Sequence, residues 1–187
     1  MSDRPPTTLS TTDIVQLLLA DHRDAGELLG RLDGLPPEER ASYFSTVVSE
    51  LVAHEVAEEH VVYPIIHHTP GGEAEMKARI GEEAAVEKML VALGRVDATS
   101  PEFATRFAAM REAVLDHARA EEATTFPILV EFEDDESRIA LGGRYKHAKG
   151  VAPTHAHPHA PHSPPGNIVL DPVAAFFDRA RNAVKGT

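Results

Sequence analysis

Two short runs of the chain share one spacing: His54 and Glu58 in LVAHEVAEEHVVYPII, and His117 and Glu121 in LDHARAEEATTFPIL. Residues four apart stand one above the other on a helix face. Each run therefore offers an imidazole nitrogen and a carboxylate from a single face. A third histidine, His22, lies in LLLADHRDAGELL. Glu83, in GEEAAVEKML, is the carboxylate of a fourth stretch, with Glu87 one turn on and Glu82 to one side. Such groups buried without partners cost several kcal/mol each. A lone histidine on an apolar face is more often a satisfied core residue than a ligand. Three histidines converging with at least three glutamates are instead compensated together by metal. Imidazoles and bridging carboxylates suit two iron or manganese ions, and the same donors accept zinc. The rival is a purely structural His–Glu network.

The elements that must position these groups are helices. A first helix follows the capping residues Thr11-Thr12-Asp13, carries Ile14, Leu18, Ala25, Leu29 and Leu32, and ends at Gly34 and Pro36-Pro37. His22 interrupts its stripe. A second runs from about Pro37 to His67, with Val47, Leu51, Val61 and Ile65 flanking His54 and Glu58. Thr69-Pro70-Gly71-Gly72 is a turn. A third runs from about Glu73 to Val96, with Met76, Ile80, Leu90 and Leu93 around Glu83. The fourth spans about Pro101 to Phe132, with Phe107, Met110, Val114 and Ile128 around His117 and Glu121. Short loops between four such helices predict an all-α, up-down-up-down four-helix bundle.

Composition narrows the class. The chain has 187 residues, no cysteine, 18 basic and 30 acidic residues, and a formal net charge of −12. It excludes disulfides, thiolate metal sites and a cysteine nucleophile. The negative balance argues against nucleic acid as a partner. No stretch is apolar and long enough to span a bilayer, and MSDRPPTTLS has no hydrophobic signal core, so a cytoplasmic location is expected. The charge is uneven. Residues 1–141 hold 12 basic and 28 acidic side chains, a net of −16, while 142–187 hold 6 and 2, a net of +4. A domain boundary is expected at this shift, where Gly142-Gly143 should break a helix. Residues 1–141 would form the bundle, and 142–187 a flexible His/Pro-rich extension, extended from Lys146 to Asn167. A short helix is expected over Pro172 to Lys185.

With these residues in place, the sequence resembles the hemerythrin-like, or HHE cation-binding, family. His22, the His54/Glu58 and His117/Glu121 pairs, and the Tyr63-Pro64 and Phe126-Pro127 helix ends carry the resemblance, over about Thr12 to Phe132. The tail more weakly resembles C-terminal extensions of some actinobacterial members. The resemblance implies a non-haem di-iron centre that binds or reacts with O2, peroxide or NO. His22, His54 and His117 would supply nitrogens, Glu58 and Glu121 bridges, and Glu83 a terminal carboxylate. One departure matters. Oxygen-carrying members have two histidines four apart in the third helix, where this chain has Arg79 and Glu83. A site richer in carboxylate favours ferric iron and shifts the expectation from reversible oxygen carriage toward redox reaction or sensing. Whether the chain turns over a substrate is left open. A redox, iron or oxygen sensor and an interaction module without turnover are the alternatives.

Other polar residues have plainer readings. His60, His67 and His68 lie off the inward stripe, near a helix C-terminus that favours cations. Glu55, Glu59 and Glu122 neighbour the ligands and are expected in solvent, although one could accept from a ligand imidazole. Tyr63 is expected as a packed aromatic near the cavity end. His155, His157, His159 and His162 read as a linker, since alternating prolines do not preorganise a tetrahedral site. The acidic run Glu131 to Glu136 reads as a solvated helix end.

Overall fold

The computed structural model describes residues 10–152. Helix α1 spans Ile14–Asp33, α2 Pro37–Val61, α3 Tyr63–His67, α4 Gly72–Leu93 and α5 Pro101–Ala120. A π-helical turn, Glu121–Thr125, joins α5 to α6, Phe126–Phe132, and α7 follows over Asp135–Val151. Among the described residues there is no strand, and no helix is long and apolar enough to cross a membrane.

Local chemistry sets the ends of these helices. Asp13 caps α1 by accepting from the Val15 N–H at 2.9 Å, and Ser100 caps α5 by accepting from Phe103 at 3.1 Å. Pro37 and Pro101 occupy first-turn positions, where a missing N–H costs nothing. The second sequence-predicted helix is divided, because Pro64 cannot continue the hydrogen-bond ladder; α2 stops at Val61 and α3 resumes at Tyr63. The fourth is divided likewise, by the π turn and Pro127. Gly71 turns the chain into α4 with φ of 80°, the left-handed region that a side chain resists.

The core has two apolar layers with a polar layer between them. One contains Leu29, Leu32, Phe44, Leu51, Leu90 and Phe107; the other contains Ile14, Leu18, Val61, Met76, Phe126 and Leu129. Each long helix crosses from one layer to the other at its polar residues: His22 on α1, His54 and Glu58 on α2, Glu83 on α4, and His117 and Glu121 on α5 and the π turn. The direction of crossing alternates along the chain, which gives the up-down-up-down order.

Helix α7 corrects the expected boundary. Gly142 and Gly143 lie inside it, and the Lys146–Val151 segment expected to be extended is its last turn and a half. The tail's prolines begin only at Pro153. Two glycines cost helix propensity, but tertiary packing outweighs it. A Cβ on Gly142 would stand 2.0 Å from the Thr12 carbonyl oxygen, so a side chain there would push α7 off the bundle. Helix α7 packs along α2 and α1. The division at 141/142 thus falls inside a packed helix. The acidic run ends one helix and starts another: Glu133 is extended and Asp134 caps α7 by accepting from Ser137 at 2.8 Å. Buried Arg138 donates to Asp13 at 2.8 Å, to the Glu133 carbonyl at 2.7 Å and to Asp135 at 2.6 Å. The expected Pro172–Lys185 helix and the histidines 155–162 lie outside the described residues.

Candidate metal centre

The polar layer contains two groups of facing donors. His22, His54, Glu58 and Glu121 form one, and Glu55, Glu83 and His117 the other; within each, one ligand atom per residue lies within 4.8 Å of every other. Glu58 and Glu121 are fully buried. The closest approaches are His54 Nε2 to Glu58 Oε2 at 3.2 Å, His22 Nε2 to Glu121 Oε2 at 3.3 Å and His117 Nε2 to Glu121 Oε2 at 3.5 Å. Two donors each ~2.1 Å from one ion, at 90–110° to each other, sit roughly 3.0–3.4 Å apart. The Glu121 oxygen lies between the two groups, near a histidine of each.

The hydrogen-bond census tests whether cations fit. Buried polar atoms in proteins are almost always paired. Here His22 Nε2, His54 Nε2, His117 Nε2, both Glu58 carboxylate oxygens, and one oxygen each of Glu55, Glu83 and Glu121 have no hydrogen-bond partner. They are the atoms of the two groups that face one another. Their separations suit shared ions better than hydrogen bonds.

The outer nitrogens are, by contrast, all engaged. His22 Nδ1 lies 2.9 Å from Glu122, and His117 Nδ1 lies 2.9 Å from Glu82. A carboxylate only accepts, so Nδ1 carries the proton in both and Nε2 keeps its lone pair inward. His54 Nδ1 lies 2.7 Å from the Tyr145 hydroxyl, which donates to Asp21 at 2.6 Å. Because that hydroxyl proton is committed to Asp21, the phenol oxygen accepts from His54. Arg79 braces the layer: it lies 3.3 Å from Glu75 and donates to Glu82 at 2.9 Å. Thr124 and Thr125 of the π turn donate to Glu75 at 2.5 and 2.8 Å.

Electrostatics within the protein alone shows an excess of negative charge. Burial opposes a charge on His54, but Glu58 and the link to Asp21 lift its pKa well above the usual imidazole range. Burial likewise opposes charge on His22 and His117. Their neighbours nevertheless raise both: the Glu121 carboxylate 3.3 Å away and Glu58 for His22, and Glu55 and Glu121 for His117. Burial and the charge of Glu55 push Glu83 well up, and burial raises Glu55. Glu121 goes the other way: burial is outweighed by the close approach of His22 and the charges of His117 and His54, which lower it. Protons gather where cations would do the same work. Tyr63, whose hydroxyl donates to Glu83 and, at 3.1 Å, to Glu121, is held as a phenol by burial and these carboxylates.

The six sequence-predicted ligands therefore face the same layer, His22, His54, Glu58 and Glu121 in one group and Glu83 and His117 in the other. Glu87 is half-buried and belongs to neither group. Glu55, expected in solvent, is buried and completes the second group. Glu59, also expected in solvent, is buried. Glu122 accepts from His22, and Tyr63 donates into the polar layer and is more than a packed ring. His60, His67 and His68 are exposed. The roles of Asp21, Glu82 and Tyr145 had no signal in spacing. Burial of Tyr145 depends on α7, a helix with no local sequence signal.

Comparison with known proteins places the helices that carry these residues in a known family. Residues 13–129 match the sequence model of the hemerythrin HHE cation binding domain. The chain is 30% identical over 140 residues to an uncharacterized hemerythrin-like protein of Schizosaccharomyces pombe, covering 74% of this chain and 69% of that one. It is 27% identical over 138 residues to a DNA nickase of Nostoc sp., covering 73% of this chain but only 39% of that protein. No solved structure matches the chain.

Proposed function

The chain belongs to the hemerythrin HHE cation-binding family, and from that premise we propose that it holds two iron ions in a carboxylate-rich centre that reacts with O2, peroxide or NO. The observation that carries this is the set of inward-facing atoms of His22, His54, His117, Glu55, Glu58, Glu83 and Glu121 that have no hydrogen-bond partner. His22, His54 and Glu58 would hold one ion, Glu55, Glu83 and His117 the other, with Glu121 shared. Four carboxylates against three neutral imidazoles balance two divalent cations. Iron bound there would supply one-electron redox chemistry and an open coordination position for a small ligand.

The protein's own groups shape that chemistry. Four anionic donors favour the higher oxidation state, which disfavours reversible oxygen carriage. The Nδ1 acceptors Glu122, Tyr145 and Glu82 fix the imidazole rings. The apolar layers on both sides keep bulk water from the carboxylates. Tyr63 holds a proton at its hydroxyl oxygen, beside Glu83 and Glu121, where it can stabilise charge arriving at the centre. DNA nicking is not extended to this chain, since its acidic bundle has no basic footprint for nucleic acid.

The test is iron content together with peroxide turnover. Anaerobically iron-loaded protein should carry about two iron ions per chain and consume peroxide, and His54→Ala should lose the ion held with His22 and Glu58 and, with it, the peroxide consumption. Under ~0.2 metal per chain after iron loading would overturn the proposal.

A further inference from the structure

Helix α7 begins after residue 129, where the family match ends, yet it reaches the centre. We propose that α7 is part of the metal site, with Tyr145 and Asp21 as positioning residues that fix His54 toward the ion it shares with His22, Glu58 and Glu121. This inference rests on the two-ion reading above.

A chain of hydrogen bonds carries it. His54 Nδ1 donates to the Tyr145 hydroxyl at 2.7 Å, the hydroxyl donates to Asp21 at 2.6 Å, and Lys149 holds the same Asp21 oxygen at 2.8 Å. Three links thus run from a buried ligand to an α7 lysine whose side chain is about a quarter exposed. Every proton in the chain has one possible direction, because Lys149 only donates and Asp21 only accepts. The ring of His54 cannot turn about its outer nitrogen without breaking the first link. A hydrogen bond backed by a carboxylate also makes the inner nitrogen a better donor to metal.

The position of Tyr145 is fixed independently of His54. Arg138 pins α7 to Asp13, the cap of α1, and Gly142 brings its backbone against Thr12. Tyr145 itself is buried among Ile14, Leu18 and Leu141. The phenol is therefore presented at a set depth by a helix clamped over the two turns that precede it. The other two ligand histidines take their outer partners from within the matched segment, Glu122 and Glu82; only His54 depends on α7.

The dependence should be asymmetric. Tyr145→Phe keeps the packing ring and removes both hydrogen bonds. The ion at His22, His54, Glu58 and Glu121 should weaken roughly 10- to 100-fold, while the ion at Glu55, Glu83 and His117 keeps its affinity.

The experiment uses the full chain, wild type and Tyr145→Phe, titrated with Zn2+ against a chromophoric chelator. Co2+ serves as a second probe, its visible spectrum reporting the ligand geometry. The expected result is one weakened Zn2+ step and one unchanged, an altered Co2+ spectrum for the weakened step, and a metal-free variant that still unfolds in one cooperative transition. Two wild-type affinities with an unchanged Co2+ spectrum would overturn the inference and leave the two-ion reading intact. A wild-type chain that takes up neither ion would overturn both. Should Tyr145→Phe not fold, Asp21→Asn breaks the next link without changing shape. The same single weakened step supports the inference, and wild-type affinity refutes it.

Discussion

Removing metal should cost this protein a large part of its stability. Eight inward atoms lack hydrogen-bond partners: three imidazole nitrogens, both oxygens of Glu58, and one oxygen each of Glu55, Glu83 and Glu121. An unsatisfied buried polar atom costs about 1–3 kcal/mol. The low end is appropriate, because neighbours 3.2–3.8 Å apart can share protons when cations are gone. Eight atoms at about 1 kcal/mol amount to about 8 kcal/mol, against a net stability of about 5–15 kcal/mol for a whole domain. For a chain of this size each kcal/mol moves the melting temperature by roughly 2–4 °C. Stripping both ions should therefore lower the melting temperature by roughly 15–30 °C. Differential scanning calorimetry of iron-loaded and chelator-treated protein measures this. A difference below ~3 °C, with two ions shown to be bound in the loaded sample, would refute the link between the unpartnered atoms and cation binding.

Three further outcomes follow from the same geometry. Metal-free protein should lose stability as pH rises above 6.5, the ordinary histidine value: the raised pKa values of His22, His54 and His117 contribute fully below it and are lost as pH passes through their folded values. Glu83, also raised, acts in the same sense from 4.5 upward, whereas the lowered Glu121 contributes above 4.5 and is lost in acid; metal-loaded protein should show the opposite slope near neutrality, since protons compete with cations, and melting curves at several pH values separate the two. Glu121→Ala should release both ions while His117→Ala releases one, because the Glu121 oxygen lies 3.3 Å from His22 and 3.5 Å from His117; elemental analysis per chain checks it. Arg138→Met leaves Asp13 buried without its cation and should cost about 3–5 kcal/mol in denaturant unfolding, with α7 the first element to lose amide-exchange protection.

The inward stripes were legible in the sequence because two of the helices, α1 and α5, are truly amphipathic. On those helices the apolar positions select one face, and His22 and His117 interrupt it unmistakably. Helix α2 is different. Every residue from Leu51 to Glu59 is buried, since α1 and the neighbouring bundle helices cover one side and α7 covers another. A helix enclosed all round has no polar face to define direction, so Glu55, one residue from His54, read as solvated. The cause lies in α7. Its Gly142-Gly143 pair, the acidic run at its start and the prolines after it are local signals against a helix. The opposing terms are tertiary: the Arg138–Asp13 ion pair, the Gly142–Thr12 approach and the buried Tyr145 ring. None of these has a sequence periodicity. The outer acceptors were illegible for a related reason, since Glu82 and Asp21 are adjacent in sequence to inward residues and differ from surface acids only by what faces them across the bundle.

The central claim is that two ions sit in the polar layer with Glu121 between them. Anomalous diffraction from crystals of the iron-loaded full chain, recorded on both sides of the iron edge, tests it most directly. Two iron peaks should be present, one against His22, His54 and Glu58 and one against Glu55, Glu83 and His117, both in contact with Glu121. A single peak, or iron bound only outside this layer, would contradict it.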